Sequence, residues 1–107
     1  MRQAKIYYKI RFAGLLAEDE KGTFRFSYDD LYRIDGSPIA YSIPISNKPF
    51  VSNGLPAFFD NLISEGWMRR IQSTSQHIDE NDSFGLLLHN GRDLVGAVSV
   101  LPDEEDR

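Results

Sequence analysis

The sequence predicts an α+β domain: a small antiparallel β-sheet with about three helices packed on one side. Three observations carry this. Apolar residues alternate with polar ones in three stretches of the first 45 residues, the period of half-buried strands. From Pro56 the apolar spacing changes to three and four, the period of a helix. Near the end, LVGAVSVL (94–101) is apolar on both faces, as a buried strand is. Strands, then helices, then a strand describe helices on one side of an antiparallel sheet. No internal repeat or linker divides the chain.

Residues 5–12, KIYYKIRF, place Ile6, Tyr8, Ile10 and Phe12 on one face and Lys5, Lys9 and Arg11 on the other. They read as one strand. Ala13-Gly14 suggests a turn, Leu15–Ala17 a short second strand and Lys21-Gly22 a further turn. Phe24, Phe26 and Tyr28 alternate with Thr23, Arg25 and Ser27 as a third strand, so the first 28 residues form a meander. Residues 29–38 are polar and end in the turn chemistry of Asp35-Gly36-Ser37-Pro38. In IAYSIPI (39–45), Ile39, Tyr41, Ile43 and Ile45 alternate again. Pro44 lacks an N–H, so that strand lies at an edge or ends there. A loop with Asn53-Gly54 follows.

Proline is tolerated in a helix's first turn. After Pro56, Phe58, Phe59, Leu62 and Ile63 share a face, with Asp60, Asn61 and Ser64 opposite. Gly66 interrupts this helix, and Trp67, Met68 and Ile71 continue at helical spacing. Residues 72–79 are polar and turn-like. Asn81 or Asp82 caps a third helix carrying Phe84, Leu87 and Leu88, which Asn90-Gly91 ends as a left-handed cap. The strand from Leu94 to Leu101 follows, read as interior to the sheet. The domain therefore spans residues 2–102, and 103–107 form a solvated acidic tail.

A chain of 107 residues with 41% apolar and 12% aromatic content can bury a modest core, which argues against disorder. Net charge is −4, and no basic stripe offers the clustered cations that phosphate binding needs, so direct nucleic-acid binding is disfavoured. The absence of cysteine removes disulfides and thiolate zinc sites and fits a reducing cytoplasm. No apolar run approaches the roughly 18 residues of a membrane span, and the N-terminal residues lead into a strand rather than a signal peptide.

Catalytic motifs are missing. Gly91-Arg92-Asp93-Leu94 differs by one letter from the His-Arg-Asp-Leu of a kinase catalytic loop. Val98, however, stands where that loop needs its Mg²⁺-binding Asn. A glycine-rich phosphate loop and an Asp-Phe-Gly are also absent. Asp93 reads as a turn acid before the strand. His77 and His89 have no third ligand type at metal spacing, so no metal or cofactor is expected. Ser73, Ser75 and Ser83 sit in no nucleophile elbow, and Asp29-Asp30 carry no sign of acid–base work. The chain is not expected to be an enzyme.

FFDNLISEGW (58–67) followed by FGLLLHNGRDLVGAVSVLP (84–102) closely resembles the N-terminal subdomain of HipA-type toxin kinases. The matching residues are Phe58, Phe59, Asn61, Leu62, Glu65 and Gly66, then Leu86, Leu87, Gly91, Asp93, Gly96, Ala97 and Val98. SIPIS (42–46) resembles the Ser-Leu-Pro-Leu strand of that family. Ser64 departs from the proline the family often has there. In that family a catalytic core follows this subdomain in a much longer chain. The resemblance implies two readings. In one, the chain is a freestanding protein similar to the HipS-type member of three-gene systems. It then acts as an antitoxin that binds and silences a HipT- or HipA-like Ser/Thr kinase, with a HipB-like helix-turn-helix protein as DNA-binding partner. In the other, it is the non-catalytic N-terminal subdomain of a longer kinase. Under either reading, Phe58, Phe59, Leu62, Asp93 and Gly96 are structural.

Two roles are open to Trp67, the only tryptophan. Packed with Met68 and Ile71, it fills the domain's own core. Placed just after Gly66 at a helix break, it projects outward as an anchor, since Trp buries much area with few rotors. In that case Glu65, Gly66 and Trp67 form the inhibitory element, with Ser64, Met68, Arg69 and Arg70 around it.

Overall fold

A computed structural model describes residues 2–62, 81–91 and 97–103. Its elements are β1 (Arg2–Tyr8), β2 (Arg11–Glu18), β3 (Thr23–Tyr28), α1 (Asp30–Asp35), β4 (Phe50–Asn53), α2 (Ala57–Asp60), α3 (Ser83–Asn90) and β5 (Val98–Pro102). The strands form one sheet in the order β4-β3-β2-β1-β5, every pairing antiparallel. The α+β expectation stands, meander included.

The sheet's inner face carries the core. Ala4, Ile6, Leu16, Phe24, Phe26, Tyr28, Val98 and Val100 are buried there. Each of the three described helices inserts one aromatic ring against a β3 ring. Tyr32 of α1 stacks on Tyr28 at 6.0 Å, Phe59 of α2 meets Phe26 at 6.0 Å, and Phe84 of α3 meets Phe24 edge-on at 5.2 Å. Burying such rings supplies most of the drive for folding, with ring geometry adding about 0.5–1.5 kcal/mol per pair.

Several local expectations are corrected. Residues 5–12 are not one strand: Lys9-Ile10 form a two-residue hairpin turn, with Lys9 at φ +59° and Ile10 97% exposed. A turn here needs a positive φ that glycine or asparagine normally signals, and lysine hides it. Ala13-Gly14 lie within β2. The register slips between Ile6 and Tyr7, so Ala13 is the extra residue of a bulge. The second turn is as expected: Gly22 adopts φ +83°, and the Asp19 carboxylate accepts from the backbone N–H of Lys21 and Thr23.

Residues 30–35 are helical rather than loop. Asp29 caps α1 by accepting from Tyr32 N–H at 3.3 Å, and Arg33 pairs with Asp30 at 2.7 Å. Leu31 and Ile34 point outward, 72% and 78% exposed, so the apolar pattern does not trace the buried side. Residues 39–45 form no strand. They make a tight loop closed by one bridge between Ala40 and Ile43, with Ile39 and Ile43 buried and Tyr41 fully exposed. The edge strand is β4 instead, within the segment read as loop. Gly91 ends α3 with φ −67°, not left-handed. Glycine is needed there for space: a Cβ would lie 2.4 Å from the Val100 carbonyl oxygen. Finally, among the described residues β5 pairs only with β1 and is an edge, not interior. Residue 102 as proline suits that position.

Candidate partner-binding site

The chain leaves the described region at Leu62 and returns at Asn81. Ser64, Glu65, Gly66, Trp67, Met68, Arg69 and Arg70 lie outside the described residues, as do Asp93 and Gly96, His77, Ser73 and Ser75. What the structure shows is how both flanks of that segment are held.

On the leading flank, Pro56 starts α2 and its carbonyl accepts from Phe59 and Asp60. Phe59 is fully buried. Phe58 and Leu62 are only half-buried and pack against the core's margin. On the returning flank, Asp82 caps α3 by accepting from Gly85 N–H at 3.1 Å. The same carboxylate is bound by Arg2 at 2.9 and 3.1 Å, while Arg2 also grips Glu18 at 2.8 and 3.0 Å. The Arg2 guanidinium lies 5.2 Å over the Phe84 ring. The Arg2 hydrogen bonds hold the Asp82 carboxyl below its usual pKa, against the opposing effect of burial. The two carboxylates hold Arg2 firmly protonated, Glu18 first.

Asp60 from the leading flank and Asn81 and Asp82 from the returning one line a single cleft of about 330 Å³. Glu18, Phe24, Leu55 and Phe84 complete it. Arg2 bridges its carboxylates at 18 and 82, one positive charge shared between two negative ones. Among the described residues, no three His, Cys, Asp or Glu side chains group as a metal site, and no helix is long and apolar enough to cross a membrane. His89 is exposed at the end of α3. Asp29 and Asp30, adjacent in sequence, serve α1 as its cap and as an ion-pair partner.

Sequence reasoning missed Arg2. Its partners lie 16 and 80 residues away, and nothing local marks a strand-initial arginine as a clamp.

A small α+β domain with one helix-covered sheet face is also the kind of unit found at the start of HipA-type chains. Residues 4–101 match the family model described as the HipA N-terminal domain. An uncharacterized protein of Haemophilus influenzae is 39% identical over 105 residues, covering 98% of this chain and 96% of that protein. The putative kinase Y4mE of Sinorhizobium fredii is 25% identical over 108 residues, covering 99% of this chain but only 26% of its own length. Among solved structures, the N-terminal domain of HipA toxin is similar with a TM-score of 0.78 at 38% identity, over 98% of this chain and 95% of that one. A chain of the Shewanella oneidensis MR-1 complex of HipA, HipB and operator DNA shares the fold. Its TM-score is 0.75 at 20% identity, over 94% of this chain and 24% of that one. The chain belongs to the HipA N-terminal domain family.

Proposed function

We infer that this protein is a cytoplasmic antitoxin that binds a HipA- or HipT-like Ser/Thr kinase toxin directly and silences it, with no catalysis of its own. The observation that carries this reading is the pair of coverages. The domain spans 96% of the small Haemophilus protein, yet only 26% of the putative kinase Y4mE. A unit found both as part of a longer kinase-like chain and as nearly all of a small protein is suited to act on such a kinase from outside. A HipB-like DNA-binding protein is the third partner, as the related complex of HipA, HipB and operator DNA suggests. The net charge of −4 favours DNA contact through that partner rather than through this chain.

Within this reading, Glu65, Gly66 and Trp67 are the inhibitory element. Trp67 is the anchor, and Ser64, Met68, Arg69 and Arg70 are its rim. The test is co-expression with a HipA-like kinase from the same organism, scoring growth and co-purification for wild type and Trp67→Ala. Wild type restores growth and co-purifies. Folded Trp67→Ala loses about 2–4 kcal/mol of binding, roughly 30- to 1,000-fold in affinity, and fails to rescue. Unfolding of Trp67→Ala instead assigns Trp67 to the core. A wild type that neither binds nor rescues supports the second reading, an N-terminal subdomain of a longer kinase, which the 26% coverage of Y4mE favours.

A further inference from the structure

The sheet face opposite the helices is unusual in composition. Alternation and register bring Tyr7 and Phe12 side by side there, place Lys5 between Leu15 and Leu101, and put Arg25 beside Val51. Tyr7 and Phe12 pack edge-on at 5.6 Å. Leu15 is 37% and Val51 55% exposed, and Arg25 is exposed. Antiparallel sheets that face water normally present polar residues outward. Here apolar and polar residues share the outward positions about equally, and no acidic side chain stands on this face from β1 to β4. The chain is acidic overall, yet Lys5 and Arg25 sit on this face beside Leu15, Leu101 and Val51.

We propose that this outer sheet face docks the body of the partner kinase, through an apolar surface of that partner bearing carboxylates. The proposal rests on the antitoxin reading and adds a contact separate from residues 64–70. Two observations name the occupant. Cations beside exposed apolar side chains, with acids only at the margins of the face at Asp19 and Asp103, fit a partner surface of opposite charge. The end of β5 also points to it: Asp103 N–H donates to the Gln3 carbonyl at 3.1 Å, at a corner bordering this face. In longer relatives, where this unit is the N-terminal domain and covers about a quarter of the chain, most of the polypeptide continues from that corner.

The experiment measures binding of the purified full chain to a purified, catalytically inactive form of a HipA-like kinase from the same organism, by calorimetry. Lys5→Glu with Arg25→Glu is compared with Leu15→Glu and wild type, at about 50 and about 500 mM salt. Each altered face weakens binding at least about tenfold at low salt, while the melting curve is retained. Wild-type affinity falls as salt rises. Combining Arg25→Glu with Trp67→Ala gives the product of the two separate fold-losses, as independent contacts do. Wild-type binding with face variants within about threefold overturns this proposal and leaves the antitoxin reading intact. A wild type that does not bind overturns both. A wild-type dimer that Leu15→Glu converts to monomer, with kinase affinity unchanged, assigns the face to a second copy. Face-dependent binding to phosphatidylserine vesicles, with kinase affinity unchanged, assigns it to a membrane. Either result overturns the proposal.

Discussion

At one end of the sheet, Arg2 spans Glu18 and Asp82 and ties the start of α3 to β1 and β2. At the other, Tyr28 and Tyr32 stack, and their hydroxyls donate to the carbonyls of Ile43 and Ser37. The Tyr28 oxygen also accepts from Ile39 N–H at 3.1 Å, and the Arg11 guanidinium lies 4.9 Å over the Tyr32 ring. Both ends pin chain onto the same face, one through formal charge and the other mainly through neutral phenols. The Arg2 side chain is 39% exposed, so water screens its pairs and each is worth little alone. The phenols are buried, so their bonds are strong chiefly because leaving them unmade is costly. The two ends therefore respond differently to substitution and to pH.

The largest effect expected is at the phenol end. Tyr28→Phe leaves the buried Ile43 carbonyl and Ile39 N–H without their partner and costs about 1–3 kcal/mol. A thermal melt should show a fall of roughly 4–8 °C per kcal/mol for a domain of this size. A variant as stable as wild type breaks the comparison. Arg2→Met comes next. It removes a charge-assisted clamp but keeps the apolar stem over Phe84, so after discounting for exposure the cost is about 1–2 kcal/mol.

The pH response sharpens the contrast. Asp82 has a lowered pKa when folded, so its contribution is present above the unfolded carboxylate pKa near 3.9 and is lost as pH falls through the folded value. Tyr28 and Tyr32 have raised pKa values, mainly from burial. Their contribution is complete below the unfolded value near 10 and is lost as pH rises through the folded ones. Urea titrations across pH should therefore show Arg2→Met flattening the acid limb and Tyr28→Phe flattening the alkaline limb. Exchange of those two assignments contradicts this account. The smallest effect is at the hairpin turn. Lys9→Gly relieves a left-handed backbone and raises stability by up to about 1 kcal/mol, read as a higher urea midpoint at unchanged slope.

The core was legible because it obeys two periods. Phe24, Phe26 and Tyr28 alternate, and Phe59, Phe84 and Leu87 recur at helical spacing; all are buried. Where outward residues are apolar, the pattern misled. Tyr41, alternating with Ile39 and Ile43, made a loop look like a strand, while α1, six residues with only Tyr32 buried, is too short to show a helical period and reads as polar loop. Periodicity reports side chains, whereas the 39–43 loop is held by a phenol bonded to backbone atoms. The candidate site was legible as a resemblance only. The Arg2 clamp beside it joins residues 80 apart, beyond the reach of any local signal.

The register of β5 bears on how the protein is made. The N-terminal strand lies inside the sheet and completes its pairing only with residues 98–102. During translation, Ala4 and Ile6 must wait for almost the whole domain to leave the ribosome before their second neighbour arrives. Such long-range pairing slows folding and leaves an open edge on the nascent chain. A truncation within β5 therefore does not trim an accessory strand. It exposes the interior edge of β1 and yields a product prone to aggregation and proteolysis.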